Sequence, residues 1–161
     1  MGLFRRKKPK EQEEPITLTA VELPSGWRLT AAGTSFRQEE LGEALRSASK
    51  DPPEGTENLT RFADEDDRAA GWIHAILVPE PSNEHDPNAI AIYSQGGRRI
   101  GYLPADKAAE YQPVFDTLVA AESAHAGRCP AYIWRAPGKG SLVLTLCVST
   151  PDFILRNGLP D

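Results

Sequence analysis

The stretch that decides the fold is residues 79–103, which read PEPSNEHDPNAIAIYSQGGRRIGYL. A polar, turn-rich loop at residues 80–88 leads into an alternating apolar run at residues 89–93. A Ser-Gln-Gly-Gly turn at residues 94–97 joins that run to a second one, which ends at Tyr102. Two such runs around a glycine-rich turn predict a β-hairpin.

The loop before the hairpin is rich in hydrogen-bonding side chains. It places Asn83, His85, Asp86 and Asn88 within six positions, and two loop prolines, Pro81 and Pro87, stiffen its backbone. Two interpretations are open. In one, Asp86 and Asn88 only make local side-chain turns that start the following strand. In the other, the loop is a binding surface.

The remainder of the chain supplies further strands and two helices. Apolar runs predict strands at residues 16–21, 27–32, 71–78, 128–136 and 141–148. Helical spacing predicts helices at residues 38–47 and 105–118, the second interrupted at Pro113, with Ser35 as cap of the first. About six mostly antiparallel strands with Gly/Pro turns and two helices indicate a mainly β, α+β fold built on a small six-stranded antiparallel β-barrel.

The domain organisation follows from length and composition. A chain of 161 residues with 40% hydrophobic residues is long enough for one domain with tails. We expect the domain at residues 16–150, a disordered tail of basic and then acidic residues at 1–15, and a C-terminal tail at 151–161.

The sequence also indicates a cellular compartment. No apolar run approaches the roughly 18 residues of a membrane span, and the start MGLFRRKKPK lacks the apolar segment of a secretory signal. We therefore expect a cytoplasmic protein without a membrane span. Cys129 and Cys147 are then expected to be reduced core residues, since the cytoplasm keeps thiols reduced.

The net charge of −5 hides an asymmetry along the chain. The first 14 residues hold five of the 18 basic and three of the 23 acidic residues, so residues 15–161 carry 13 basic and 20 acidic residues, a charge of −7. General affinity for a nucleic acid comes mostly from neutralising phosphates with Lys and Arg. Any nucleic acid binding by this domain is therefore expected to be local, at an end or at a few bases.

Catalytic and metal-binding patterns are missing from the sequence. It contains no G-x-S-x-G, no P-loop and no cluster of metal ligands at characteristic spacing. Four consecutive acidic residues at 64–67 point in different directions on an irregular segment, whereas a divalent cation needs converging ligands. We expect no enzymatic activity, no cofactor and no metal.

The loop and hairpin carry the spaced pattern E-P-x-N-x-x-D-x-N-A-I, followed about a dozen residues later by G-Y-L-P. This pattern resembles the HIRAN domain family. The resemblance extends to residues 33–36, 111–114 and 128–131, and it covers roughly residues 27–148. It implies a small six-stranded β-barrel related to OB and SH3-like folds, with two helices, that grips single-stranded DNA at a free 3′ end.

The resemblance also implies roles for single residues. Asp86 matches the carboxylate that accepts a hydrogen bond from the terminal sugar hydroxyl and would repel a phosphate in its place. Asn83 would read the same sugar. Phe36 and His85 fall at two positions whose rings stack on bases, and imidazole is the smaller of the two platforms.

The sequence departs from the family pattern at some of these positions. Ser35 stands where members that bind DNA ends carry an arginine, and Arg37 is the candidate replacement for its phosphate contact. Glu84 adds a negative charge to a loop that usually reads N-P-Y-D. Tyr102, with neighbouring cations on the hairpin and the next helix, is a candidate for compensating contacts; ordinary surface charge is the alternative interpretation.

The leading prediction is a non-enzymatic module that captures the 3′ end of single-stranded DNA in DNA repair or processing. Helicases and nucleases often accompany the family in longer chains, so any such activity would belong to a partner protein. The alternative is a protein-interaction adaptor that kept the barrel and lost the DNA ligand. The acidic charge and the departures at Ser35 and Glu84 favour this alternative.

Overall fold

The structure is a computed structural model that describes residues 15–16, 19–54, 56, 69–120, 125–138 and 140–158. The strands in these ranges are β1 (Ala20–Glu22), β2 (Trp27–Thr30), β3 (Ala69–Pro79), β4 (Ile90–Tyr93), β5 (Arg99–Tyr102), β6 (Ala126–Arg135) and β7 (Leu142–Val148). The helices are α1 (Gln38–Arg46), α2 (Ala105–Ala120) and α3 (Pro151–Asn157). A 3-10 turn, Thr34–Phe36, precedes α1.

The strands form one curled sheet in the order β2-β7-β6-β3-β4-β5. Neighbours along this path are antiparallel, whereas β1 runs parallel to the first residues of β6. The predicted hairpin is β4 and β5, and Gly97 in its turn has a φ of 79° that suits glycine. The mainly β, OB-like α+β fold predicted from the sequence is confirmed.

The two ends of this path meet where the chain leaves β2. Ala32 and Tyr102 exchange both backbone hydrogen bonds, with N to O distances of 2.8 and 2.9 Å. The preceding residue, Ala31, still donates to the carbonyl of Leu144 on β7 at 2.9 Å. The chain thus leaves β7 and pairs with β5 within two residues, and this step brings β2 and β5 together into a barrel-like arrangement.

The inside of the curl is filled by alternate strand residues and by one face of α2. Leu77, Ile92 and Ile133 are fully buried there, and burying an aliphatic side chain of this size contributes about 1.5–3 kcal/mol. Tyr111 of α2 donates its hydroxyl to the carbonyl of Ser149 at 2.7 Å, and burial raises its pKa. This bond fixes α2 to the chain just after β7.

Gln38, the first residue of α1, attaches that helix to β7. Its Oε1 accepts from the N–H of Leu142 at 2.7 Å, and its Nε2 donates to the carbonyls of Thr34 and Leu142, both at 2.8 Å. The side-chain amide therefore pairs with the backbone of Leu142 much as a neighbouring strand would.

The predicted cap of α1 is wrong. Arg37 is the N-cap residue and makes no side-chain cap hydrogen bond, while Ser35 lies within the 3-10 turn. The capping-box pattern failed because the side-chain oxygen of Gln38 accepts from the N–H of Leu142, 104 residues away in the chain, and not from the N–H of Ser35.

Three other boundaries also differ from the prediction. Residues 151–157, expected in a C-terminal tail, form α3, in which Thr150 accepts from the N–H of Phe153 and Ile154 is fully buried. Helix α2 continues through Pro113, which is exposed and whose carbonyl accepts from the hydroxyl of Thr117. The first described strand is Ala20–Glu22, which pairs with β6, whereas residues 17 and 18 of the predicted run lie outside the described residues.

Cys129 and Cys147 are buried and unbridged. Cys129 belongs to the core inside the curl, whereas Cys147 packs with Trp72 and Tyr132 on the outer face of the sheet. Their side chains therefore point to opposite faces, which prevents a cross-strand bridge. Burial raises the pKa of both thiols, that of Cys147 to about 11, so both are protonated at neutral pH.

The Gln38 contact predicts a measurable loss of stability. We expect Gln38→Ala to lower the free energy of unfolding by about 1–3 kcal/mol, because the N–H of Leu142 loses its partner. Glu39→Ala, an exposed position on the same helical turn, should change it by less than about 0.5 kcal/mol. Urea unfolding measures both, and equal midpoints for the two variants would contradict this role of Gln38.

Candidate functional site

The predicted site residues lie on three segments that are connected through backbone pairing at the end of β5. Backbone pairing between Ala32 and Tyr102 holds the 3-10 turn beside β5, and pairing between Ala91 and Tyr102 holds the β3–β4 loop beside it through β4. The segments carry Ser35, Phe36 and Arg37 on the turn, Asn83, His85 and Asp86 on the loop, and Tyr102 at the end of β5.

The 3-10 turn presents an exposed aromatic ring. Gly33, with a φ of 71°, redirects the chain into this turn, and its carbonyl accepts from the N–H of Phe36 at 3.2 Å. The side chain of Phe36 is 76% exposed. Ser35 is also exposed, while Arg37 is half-buried with its Nη1 3.7 Å from Glu40. A ring this exposed can stack on a planar ligand.

The β3–β4 loop is held by its own hydrogen bonds. The N–H of Glu80 donates to the carbonyl of Ala89 at 2.8 Å and closes the loop. Inside it, Oδ1 of Asn83 accepts from the N–H groups of His85 and Asp86 at 2.9 and 3.1 Å. One side-chain oxygen therefore fixes the backbone of the two residues predicted to contact a ligand.

Asp86 makes the side-chain turn that was one of the two interpretations of this loop. Its Oδ1 accepts from the N–H of Asn88 at 2.8 Å, and its side chain is half-buried. The carbonyl of Asn88 in turn accepts from Nε2 of Gln112 at 2.7 Å, which links the loop to α2. These bonds fix the direction of the Asp86 carboxylate, so turn formation and ligand binding are compatible roles.

A polar network of Glu80, Asn83, Arg99 and Tyr102 connects the loop to β5. Nη1 of Arg99 donates to the hydroxyl of Tyr102 at 2.5 Å and lies 3.6 Å from Oε2 of Glu80. Oε1 of Glu80 accepts from Nδ2 of Asn83 at 3.1 Å. The guanidinium of Arg99 also lies 5.6 Å from the ring centroid of Tyr102, within range of a cation–π contact.

Two phenol groups next to this network stay protonated. Burial raises the pKa of Tyr102, with Glu80 adding to the effect and Arg99 opposing it. Burial raises the pKa of Tyr93 as well, with Glu80 and Tyr102 adding to it and Arg37 opposing it. Both hydroxyls are therefore neutral at physiological pH and can donate hydrogen bonds.

Sequence reasoning missed Glu80 and Tyr93 as members of this site. The available signal was the acidic residue directly before the first loop proline, opposite a pair of arginines on the facing hairpin. The other candidate cations have carboxylate neighbours elsewhere: Nε of Arg98 lies 3.9 Å from Glu43, and Nζ of Lys107 lies 3.4 Å from Glu110. Arg99 is thus the hairpin cation that links loop and strand.

The described residues form neither a cluster of metal ligands nor a membrane-spanning helix. Among the described residues, no group of three or more His, Cys, Asp or Glu side chains is placed to hold a metal ion. No helix in that part of the chain is long and apolar enough to cross a membrane. The acidic run at residues 64–67 lies outside the described residues.

The site combines stacking groups with a fixed hydrogen-bond acceptor. Phe36 and His85 are exposed rings on separate segments, and Asp86, next to His85, has its carboxylate oriented by the N–H of Asn88. Such a set can stack on a planar group and accept one hydrogen bond from a hydroxyl. It has too few cations to neutralise a long phosphate backbone.

Comparisons with known proteins give one match. The family model described as HIRAN domain matches residues 58–145, more than half of the chain. The matched range includes the loop, the hairpin and Tyr102, whereas Ser35, Phe36 and Arg37 precede it. Searches of the curated proteins and of the solved structures found no match.

The shared acceptor in the loop predicts a local change in hydrogen exchange. In Asn83→Ala, we expect the amides of His85 and Asp86 to exchange roughly fivefold faster, because each loses a hydrogen bond worth about 1 kcal/mol. The amide of Asn88, which Asp86 holds, serves as the internal control. His85→Ala is the matched variant and should leave the Asp86 amide unchanged. NMR-detected exchange that is the same in wild type and Asn83→Ala would refute the assignment.

Proposed function

The chain belongs to the HIRAN domain family, and on that premise we propose that it binds single-stranded DNA at a free 3′ end. The family supports nucleic acid binding in general. The observations that support the finer proposal are an exposed ring, Phe36, and a carboxylate fixed on a turn, Asp86, on two segments that both connect to β5 at Tyr102, one directly and one through β4. The 3′ end of a single DNA strand offers a base that can stack on Phe36 and a hydroxyl that can donate to Asp86.

Asp86 is the residue that distinguishes a hydroxyl end from a phosphorylated one. An ionised carboxylate accepts hydrogen bonds and donates none, so it attracts a terminal hydroxyl and repels a terminal phosphate. Asn83 supports this reading by fixing the backbone of Asp86, and its own amide is oriented by Glu80. The polar network therefore positions the reading group.

The stacking and phosphate contacts come from the remaining predicted residues. The terminal bases stack on Phe36 and His85. A phosphate further along the strand lies near Arg37 and the hydroxyl of Ser35. The neutral hydroxyl of Tyr102 is a further donor for such a phosphate, because its raised pKa keeps it protonated. Glu80 and Glu84 oppose tight phosphate binding, so affinity rests mainly on the end and its bases.

The proposed role is recognition without catalysis, in the cytoplasm and in DNA repair or processing. A protein that only holds a 3′ end needs a partner to act on it. Helicases and nucleases are the partner classes that use such ends, and this chain would deliver the end to one of them.

A second candidate function is a protein-interaction adaptor. The observation that favours it is the charge of −7 over residues 15–161, which weakens general attraction to DNA. In that case the exposed Phe36 would contact a protein and not a base.

End recognition predicts a preference that depends on the charge of Asp86. We expect a labelled short single strand to bind roughly 10- to 150-fold more tightly with a 3′ hydroxyl than with a 3′ phosphate, the range expected for one charged hydrogen bond. Asp86→Asn keeps an oxygen that can accept from Asn88 yet removes the charge, so it should lose this preference while keeping the loop folded. Fluorescence anisotropy at low and moderate salt measures both. Equal affinity of the wild type for the 3′-hydroxyl and the 3′-phosphate strand would contradict the proposed end recognition.

Stacking on Phe36 predicts a second effect, with a control in the same chain. We expect Phe36→Ala to weaken binding of the 3′-hydroxyl strand by roughly 5- to 150-fold, since base stacking contributes about 1–3 kcal/mol. Phe153 on α3 is also exposed, at 50%, and Phe153→Ala should leave affinity unchanged. Similar losses in both variants, or in neither, would favour the adaptor function.

A further inference from the structure

Residues 5–10, which read RRKKPK, hold five of the 18 basic residues of the chain within six positions. We call them the basic segment. The segment itself lies outside the described residues, whereas residues 15–16 are described and fix the point at which it is joined to the domain. The proposed end site uses none of these five cations, although residues 15–161 carry a charge of −7.

The join lies on the turn between β4 and β5, residues 94–97, which we call the hairpin turn. The N–H of Ile16 donates to the carbonyl of Gly97 at 3.2 Å. The two backbones are so close that a Cβ added to Gly97 would overlap the carbonyl oxygen of Ile16. Gly97 therefore allows this contact, and the basic segment enters the domain from the hairpin turn.

The end site extends from the far end of β4 towards the hairpin turn. Asp86 precedes β4 and the hairpin turn follows it, so the two lie at opposite ends of this strand. Ala32 pairs with Tyr102, and a Cβ added to Gly101 would lie 3.4 Å from Cγ2 of Thr34. The chain that forms the 3-10 turn therefore runs along β5 from Tyr102 in the direction of the hairpin turn.

Arg37, the proposed phosphate contact, lies on the hairpin-turn side of the end site. Burial raises the pKa of Tyr93, the residue directly before the hairpin turn, and the positive charge of Arg37 opposes this rise. Nε of Arg98, directly after the turn, lies 3.9 Å from Oε2 of Glu43 on the helix that begins after Arg37. A strand with its 3′ end at Asp86 and a phosphate at Arg37 therefore approaches the hairpin turn with its upstream nucleotides.

The basic segment is long enough to meet the strand there. Lys10 is six positions from Ile16 and Arg5 is 11 positions from it. At about 3.3 Å per residue, an extended chain of these lengths spans at most about 20 Å and about 36 Å. Nucleotides in a stacked strand rise about 3.4 Å each, so this distance corresponds to about six to ten upstream nucleotides.

Charge favours a phosphate backbone as the ligand of the basic segment. A single strand carries one negative charge per nucleotide, and Lys and Arg side chains neutralise such charges. Leu3 and Phe4, next to the segment, are residues that would favour an anionic lipid surface as the alternative polyanion. The join on the hairpin turn, on the side of the end site that carries Arg37, favours the strand.

We propose that the basic segment binds phosphates of the single strand upstream of the captured 3′ end, beyond the contact at Arg37. This inference rests on the proposed function and divides it between two parts of the chain. The end site selects the 3′ hydroxyl, and the basic segment supplies the salt-dependent part of the affinity, which the acidic domain cannot provide.

The test measures the salt dependence of binding in the full chain. The probes are labelled 3′-hydroxyl strands of about three and about twelve nucleotides, and anisotropy gives their affinities between about 50 and 200 mM salt. The variant replaces all five cations with Gln: Arg5, Arg6, Lys7, Lys8 and Lys10. Three to five lost phosphate contacts, at about 0.7 each, should lower the slope of log affinity against log salt by about 2–3.5 for the long strand. Wild type should therefore lose roughly 20- to 130-fold more affinity than the variant over this range.

Three controls accompany this variant. The short strand has only two internal phosphates, so its slope should fall by at most about 1.4. Arg5→Lys combined with Arg6→Lys keeps the charge of the basic segment and should keep the long-strand slope. Arg156→Gln removes an exposed cation on α3 and should leave that slope unchanged, whereas a general effect of net charge would lower it.

The outcomes separate this proposal from end recognition. An unchanged long-strand slope in the five-Gln variant would overturn the role of the basic segment and leave the end site standing. A lower slope with the preference for a 3′ hydroxyl retained is the expected result, since Asp86 is untouched. A lower slope with equal affinity for 3′-hydroxyl and 3′-phosphate strands would support the basic segment and contradict end recognition. Binding to anionic vesicles that depends on the five cations, with an unchanged DNA slope, would assign the segment to a lipid surface and overturn the proposal.

Discussion

The pair of backbone hydrogen bonds between Ala32 and Tyr102 is the constraint on which the proposed site depends. It joins the two ends of the strand path and holds the Phe36 turn beside β5. The approach is close: a Cβ added to Gly101 would lie 3.0 Å from the carbonyl oxygen of Ala32 and 3.4 Å from Cγ2 of Thr34. Gly101 therefore allows the strand crossing, and Tyr102 next to it joins the polar network.

The network around Arg99 orients side chains of the β3–β4 loop more than it stabilises the fold. Ion pairs that keep some solvent exposure, as Arg99 and Glu80 do, contribute at most about 1 kcal/mol. What the network does is orient Asn83, whose carbonyl oxygen fixes the loop backbone at His85 and Asp86. The stability of the fold comes instead from the apolar interior of the curl, which the site only borders.

Much of the fold could be predicted from local patterns, because alternation and turns are local. The hairpin, the central strand and the positions of α1 and α2 follow from residues that are neighbours in the chain. The predictions that were wrong concern contacts with residues distant in the chain or elements with a weak sequence pattern. Gln38 accepts from the N–H of Leu142 and therefore makes no capping box. Helix α3 was missed because it is only seven residues long, although Thr150 and Pro151 are residues that commonly start a helix.

The site, too, divides into residues that a local pattern predicts and residues that only strand pairing brings in. The loop and Phe36 were identified through the family pattern, while Glu80 and Tyr93 were missed because their roles depend on strand pairing. Tyr93 pairs with Arg99 across the hairpin, and Glu80 meets Arg99 although 19 positions separate them. No periodic pattern in the sequence predicts a contact between residues so far apart in the chain.

The central claim is that the 3-10 turn and the β3–β4 loop act as one site for a DNA end, and NMR titration tests it most directly. A short 3′-hydroxyl strand added to the labelled protein should shift the amides of residues 33–37, 83–88 and 102 together, with one common dissociation constant. The same strand with a 3′ phosphate should shift them far less at equal concentration. Shifts confined to other surfaces, or shifts of only one of the two segments, would contradict the account.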